Sequence, residues 1–208
     1  MIRGQKLTAI IPVRGGSKGI PKKNLSRLGK DTLLERTIKL AKNSGYVDRV
    51  LVSTDDEEMF VIAKQHGVAM QNLRPAELAT DTAKTVDVVK QAIAAENIDE
   101  GYILLLQVTS PLRIPADLQA LCNAFDNADP TQVEAIVSLV EHDAPHPDKI
   151  QKIDDGYVRS YLGKESMVAR QQLPKVYSLN GAFYLTHRDI LLEKSTFMPQ
   201  KTIPYVMP

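Results

Sequence analysis

Residues 11–24 read IPVRGGSKGIPKKN and follow directly on a β-rich apolar run, residues 7–13 (LTAIIPV). Gly15, Gly16, Gly19 and Pro21 end that run abruptly, so a buried strand opens at its end into a loop. A glycine-rich loop after a first strand lets backbone N–H groups approach phosphates closely, and Arg14, Lys18 and Lys23 supply the countercharge for a polyphosphate. The loop is not a Walker A motif, which needs Gly-Lys-Ser/Thr, and it is not Gly-x-Gly-x-x-Gly. Charge around it points the same way. Residues 1–30 carry eight basic side chains and no carboxylate, while the other 178 residues carry 18 basic and 25 acidic groups. The formal net charge of +1 argues against bulk attraction to nucleic acid or membrane, so the basic segment points to a local anion site.

Outward from this loop the chain alternates. Helical spacing runs over residues 32–41, 56–65, 82–95 and 114–125, with residues 53–55 as the cap of the second. Strand-like runs cover residues 47–52, 102–106 and 134–140, with a further short one at 67–70. This rhythm predicts an α/β fold with a mostly parallel sheet and helices on both faces. It breaks near Pro145 and Pro147 and returns at residues 178–186; between them, an Asp155-Gly156 turn marks a hairpin over 150–161. Residues ~141–175 therefore read as a lobe inserted into a single domain spanning 1–208. The composition, 43% hydrophobic and 25% charged, is that of a folded domain. No apolar stretch approaches the ~20 residues of a membrane helix, no signal peptide is evident, and one cysteine fits a reducing compartment. The expected location is cytoplasmic.

Three more segments carry polar groups at places where α/β folds bind ligands: Gln107–Arg113 (QVTSPLR) after the buried strand, residues 74–82 (RPAELATDT), and residues 170–184, which hold Arg170 and the run NGAFY. In the second of these Asp81 reads as a helix cap. Glu141, His142, Asp143, His146 and Asp148 do not read as a zinc site, because the prolines deny His142 and His146 a shared helical face. Cys122 falls in line with Leu118, Leu121 and Phe125 as a core thiol, and Ser17 has no His–Asp system to activate it.

Taken in order, IPVRGGSKGIPKKN, VSTDD, RPAELATDT, LLQVTSPLR and RQQLPKVYSLNGAFYL resemble the acylneuraminate cytidylyltransferases, or CMP-sialic acid synthetases, over residues 7–186. The resemblance implies a Rossmann-like nucleotidyltransferase sheet with a protruding arm that makes a homodimer. It implies transfer of CMP from CTP to a nine-carbon α-keto sugar acid, N-acetylneuraminate or a legionaminate-type acid, with release of pyrophosphate. Arg14, Ser17, Lys18, Lys23 and Asn24 would hold triphosphate and cytidine, with Arg74 and Thr85 at base and ribose. Gln107, helped by Lys149 and Tyr184, would contact the sugar; Arg170 matches the family's active-site arginine, and Phe197 falls near the arm aromatics. Arg14, Lys23 and Arg170 are the catalytic candidates. Two departures stand out. Val108 replaces the proline that usually follows the glutamine. The family's acidic Asp-Ile-Asp segment, which binds Mg²⁺, would begin about where Tyr205-Val206-Met207-Pro208 stands, so the metal ligands are expected in a tail beyond these residues. An eight-carbon keto sugar acid, or an inactive CTP-binding homologue, is the alternative.

Overall fold

A computed structural model of the chain describes residues 1–16, 19–142, 144–163 and 168–208. The chain runs β1 (Leu7–Pro12), β2 (Arg27–Leu28), β3 (Asp31–Thr32), α1 (Leu33–Lys42), β4 (Arg49–Ser53), α2 (Glu57–Gln65), α3 (Thr85–Ala95), β5 (Tyr102–Leu105), α4 (Pro115–Asp126), β6 (Ala135–His142), β7 (Gln151–Asp154), β8 (Tyr157–Ser160), β9 (Val176–His187), α5 (Arg188–Lys194) and β10 (Thr202–Val206). The main sheet has the order β10-β6-β9-β5-β1-β4. β1 pairs in parallel with β4 and β5, and β10 with β6, while β9 runs antiparallel to both β5 and β6.

The two-residue period of a buried strand divides the core between the sheet's faces. Leu7, Ala9 and Ile11 of β1 and Tyr102 and Leu104 of β5 pack with Ile38 of α1, Met59 of α2 and Leu121 and Phe125 of α4. Ile10, Ile103 and Leu105 point the other way, onto Val89, Ala92 and Ile93 of α3 and Leu191 of α5. Helices thus cover both faces, as the apolar runs predict. Cys122 lies in the first core, where burial pushes its thiol up to about 12; it packs and does not react. Local chemistry starts the helices. Thr32 and Glu35 form a reciprocal capping box on α1, and Asp56 accepts the Met59 N–H at the start of α2.

Several sequence expectations need correction. Asp56, not the segment 53–55, caps α2, which frees Asp55 for another task. α3 begins at Thr85 with Lys84 at its N-cap, so Asp81 is not a helix cap. Residues 67–70 contribute one bridge, Val52 to Ala69, instead of a strand. β10 carries Pro204, which hides it as a strand in the sequence; an edge position is where a sheet tolerates proline.

β6 and β9 are long enough to leave the sheet as a pair, with Glu141 opposite Tyr177 and His142 opposite Val176. The described residues between them form the β7–β8 hairpin, turned by Asp155 and Gly156, both at positive φ. None of its side chains enters either core: Ile153 is 81% exposed and Val158 73%.

Candidate active site

The carboxyl ends of β1 and β5 converge on a cleft of about 370 Å³. Arg14, Lys23, Asn24, Arg74, Thr85 and Gln107 line it, drawn from separated stretches of the chain. The loop after β1 is pinned from beneath. Val13 donates its N–H to the Ser53 carbonyl (2.9 Å) and its carbonyl accepts from the Arg74 guanidinium (2.6 Å). The Arg14 carbonyl accepts from the Asn24 side-chain amide (3.0 Å), and Asn24 is itself buried. Asp55, released from capping, accepts from the Gly15 N–H (3.2 Å) and from Arg74 (3.2 Å). Glycine at position 15 permits this close approach, since a Cβ there would stand 2.8 Å from the Asp56 Oδ2 and 3.2 Å from the Asp56 Cβ.

Arg74 is buried, and burial lowers its pKa while the ion pair with Asp55 opposes the shift. One of its terminal nitrogens is committed to Val13 and Asp55, while its Nε–H has no partner among the described residues. Arg74 therefore shapes the cleft wall as much as it faces the cleft. Arg14 is different. It donates to the Thr80 carbonyl (3.0 Å) and pairs with Asp81 (2.6 Å), both partners at the surface. An exposed pair of this kind is worth at most about 1 kcal/mol, so an incoming phosphate can take the guanidinium from it. Lys23 reaches the cleft, while its neighbour Lys22, at φ +50°, turns away to pair with Glu58 on α2 (2.6 Å).

The structure brings together six of the residues singled out in the sequence. Ser17, Lys18 and the Arg170 side chain lie outside the described residues; the Arg170 backbone opens the short turn Arg170–Gln172. Lys149 sits in the inserted lobe, donating to the Val168 carbonyl (2.7 Å), and is not among the residues lining the cleft. Tyr184 lies on β9 against the α3–α5 core, its ring 6.0 Å from that of Phe197; burial raises its pKa. Phe197 is buried there too, which overturns its placement among arm aromatics: it is a core residue after α5. The roles of Asp55 and Asp81 escape sequence reading, because Asp-Asp before a helix and Asp before a predicted helix look like caps.

No group of three His, Cys, Asp or Glu side chains among the described residues could hold a metal ion. Of the carboxylates near the cleft, Asp55 is committed to Gly15 and Arg74 and Asp56 to the α2 terminus, while Asp81 is the one carboxylate among the described lining residues. These residues do not fit a resident metal centre.

A family model described as Cytidylyltransferase matches residues 8–204. N-acylneuraminate cytidylyltransferase of Streptococcus agalactiae serotype V is 32% identical over 205 residues, which is 97% of this chain and 48% of that protein. The chain thus spans about half the length of that relative. Pseudaminic acid cytidylyltransferase of Campylobacter jejuni serotype O:2 is 30% identical over 207 residues, covering 98% of this chain and 88% of the relative. Among solved structures, CMP:2-keto-3-deoxy-manno-octonic acid synthetase complexed with CTP superposes with a TM-score of 0.70 at 16% identity, over 97% of this chain and 90% of that one. At that identity the likeness speaks for the fold.

Proposed function

Since the chain belongs to the cytidylyltransferase family, we propose that it transfers CMP from CTP to the anomeric hydroxyl of a nine-carbon α-keto sugar acid. The observation that carries this reading is the basic cleft at the carboxyl ends of parallel strands, where Arg14 and Lys23 face Gln107. In the reaction the sugar hydroxyl oxygen attacks the α-phosphorus, the bond to the bridging oxygen breaks, and pyrophosphate leaves as the hydroxyl proton is lost. Little covalent work falls to the protein, and catalysis is positioning plus neutralisation of charge on the departing pyrophosphate. Arg14 and Lys23, with Lys18 from the same loop, take the β- and γ-phosphates. Asn24, Arg74 and Thr85 take the nucleoside, and Gln107 takes the sugar. Arg170 is the cation closing on the reacting phosphate. Lys149 of the inserted lobe and Tyr184 of β9 complete the sugar subsite. Magnesium enters with CTP as the nucleotide's own counterion.

The exposed Ile153 and Val158, paired across the hairpin, support the lobe's use as a dimerisation arm, because they leave an apolar pair uncovered. Among the described residues no helix is long and apolar enough to cross a membrane. The one cysteine is buried and unpaired, in keeping with a cytoplasmic place of work.

The test is pyrophosphate release from CTP and Mg²⁺ with a panel of sugar acids: N-acetylneuraminate, legionaminate, pseudaminate and an eight-carbon 3-deoxy keto acid. Release with a nine-carbon acid is the expected result. Release with the eight-carbon acid alone moves the assignment to the neighbouring specificity, and CTP binding without release from any of them overturns the transferase reading.

A further inference from the structure

Between the pairs Val137–Tyr184 and Leu139–Leu179 the β6–β9 ladder loses register, so that Ser138 alone stands opposite residues 180–183. This bulge is built, not frayed. Ser138 Oγ accepts the Phe183 N–H (2.8 Å) and donates to Asn180 Oδ1 (2.6 Å), which also accepts the Ala182 N–H (3.1 Å). Two side chains tie it to the segment after β5: Ser110 Oγ donates to the Asn180 carbonyl (3.0 Å) and Arg113 to the Ala182 carbonyl (2.7 Å). At the apex, between those two carbonyls, stands Gly181 at φ +70°. A Cβ there would lie 2.7 Å from Gln107 Oε1 and 3.5 Å from Ser110 Oγ. Gln107 is at the same time part of the cleft lining, and Gly181 is not. Bulges are found beside active sites, and this one brings the Gly181 backbone up against the Gln107 carboxamide.

We propose that Gly181 is a positioning residue for acceptor recognition: its bare Cα is the wall against which the Gln107 carboxamide is seated. The inference rests on the transferase reading above and deepens it, by making selection of the polyhydroxylated sugar acid depend on a residue outside the cleft. Any side chain at 181 displaces the end of Gln107, which is flexible enough to move and so shifts the amide more readily than the backbone. Binding of CTP, held by the loop after β1 and by Arg74, is untouched.

Gly181→Ala in the full chain tests this, with CTP affinity read by calorimetry without acceptor and the acceptor's kcat and KM read by pyrophosphate release. The expected result is a kcat/KM for the acceptor lower by on the order of 10²-fold, the penalty of misplacing a positioning group by about 1 Å. CTP affinity stays within about twofold of wild type, because a Cβ at 181 meets Gln107 and Ser110 and none of Arg14, Lys23, Asn24, Arg74 or Thr85. In a Gln107→Ala background the same Gly181→Ala change costs less than about threefold, since no amide remains to displace. Unchanged acceptor kinetics in Gly181→Ala, or losses that simply multiply in the double variant, overturn the proposal. Should the positive φ prevent Gly181→Ala from folding, Ser110→Ala cuts the tie between loop and bulge without straining the backbone. It is expected to lower acceptor kcat/KM about tenfold, the loss of one positioning hydrogen bond, at unchanged CTP affinity; no change there overturns the proposal as well. A wild-type chain that binds CTP but uses no acceptor removes the transferase reading and this one with it. An active wild type indifferent to Gly181→Ala removes this one alone.

Discussion

The loop after β1 and the inserted lobe are both rich in candidate site residues, and the fold treats them in opposite ways. The loop grows out of a strand buried on both faces and is clamped by Asn24, Arg74 and Asp55, so its cations sit ready at a cleft. The lobe leaves from the outer ends of β6 and β9, its described residues contribute nothing to either core, and it holds Lys149 against Val168. Groups anchored by core packing are preorganised within a single chain, whereas groups on an excursion gain their position from whatever covers the excursion. The nucleotide half of the proposed site accordingly draws on groups fixed within one chain. Its acceptor half is split: Gln107 and Tyr184 are held by the main fold, Lys149 by the lobe.

The largest effect is expected of Arg170→Ala, at the junction of lobe and sheet. Turnover should fall by on the order of 10²–10³-fold, the usual cost of removing one donor to developing charge. The melting temperature, read alongside, separates a loss of turnover from a loss of folding. Unchanged turnover would put the lobe's return outside the site. Next in size, Arg14→Ala should raise the KM for CTP by about 10–100-fold through loss of charge-assisted contacts to phosphate, with a smaller change in kcat. A kinetic titration of CTP at saturating acceptor reads it, and a normal KM would remove the loop from triphosphate binding. Asp81→Asn sharpens the same side with the opposite sign. Freed from its exposed partner, Arg14 should bind CTP about two- to fivefold more tightly by calorimetry, in line with the small worth of such a pair; weaker binding would mean Asp81 serves the ligand directly. Smallest of all, Lys22→Ala should change the KM for CTP by less than about twofold, because its ammonium is turned to Glu58 and away from the cleft. An effect as large as that of Arg14→Ala would show that the loop rearranges around the nucleotide.

Much of the parallel half is legible in the order of residues alone. Residues 7–13 announce a buried strand, glycines announce the turn, and the absence of carboxylates ahead of Asp31 announces an anion site; each signal lies within a few consecutive residues. The half formed by β9, β6 and β10 is less legible. β10 hides behind Pro199, Pro204 and Pro208, and Phe197 passes for an arm residue because nothing local says that the chain after α5 turns back under Tyr184. Asp55 and Asp81 look like caps for a similar reason. Capping is a local preference, while their actual partners, Arg74 and Arg14, are separated from them by loops.

What the amino-acid order determined by itself is the layered α/β plan and the chemistry of the first loop, since periodicity, glycine and charge act over neighbouring residues. What only the tertiary structure decided is which groups meet. Arg74 reaches Val13 across 61 positions, Ser110 reaches Asn180 across 70, and Gly181 closes on Gln107 from a different strand. Such contacts are set by strand order and by a bulge in one ladder, and no local preference of the residues concerned encodes either.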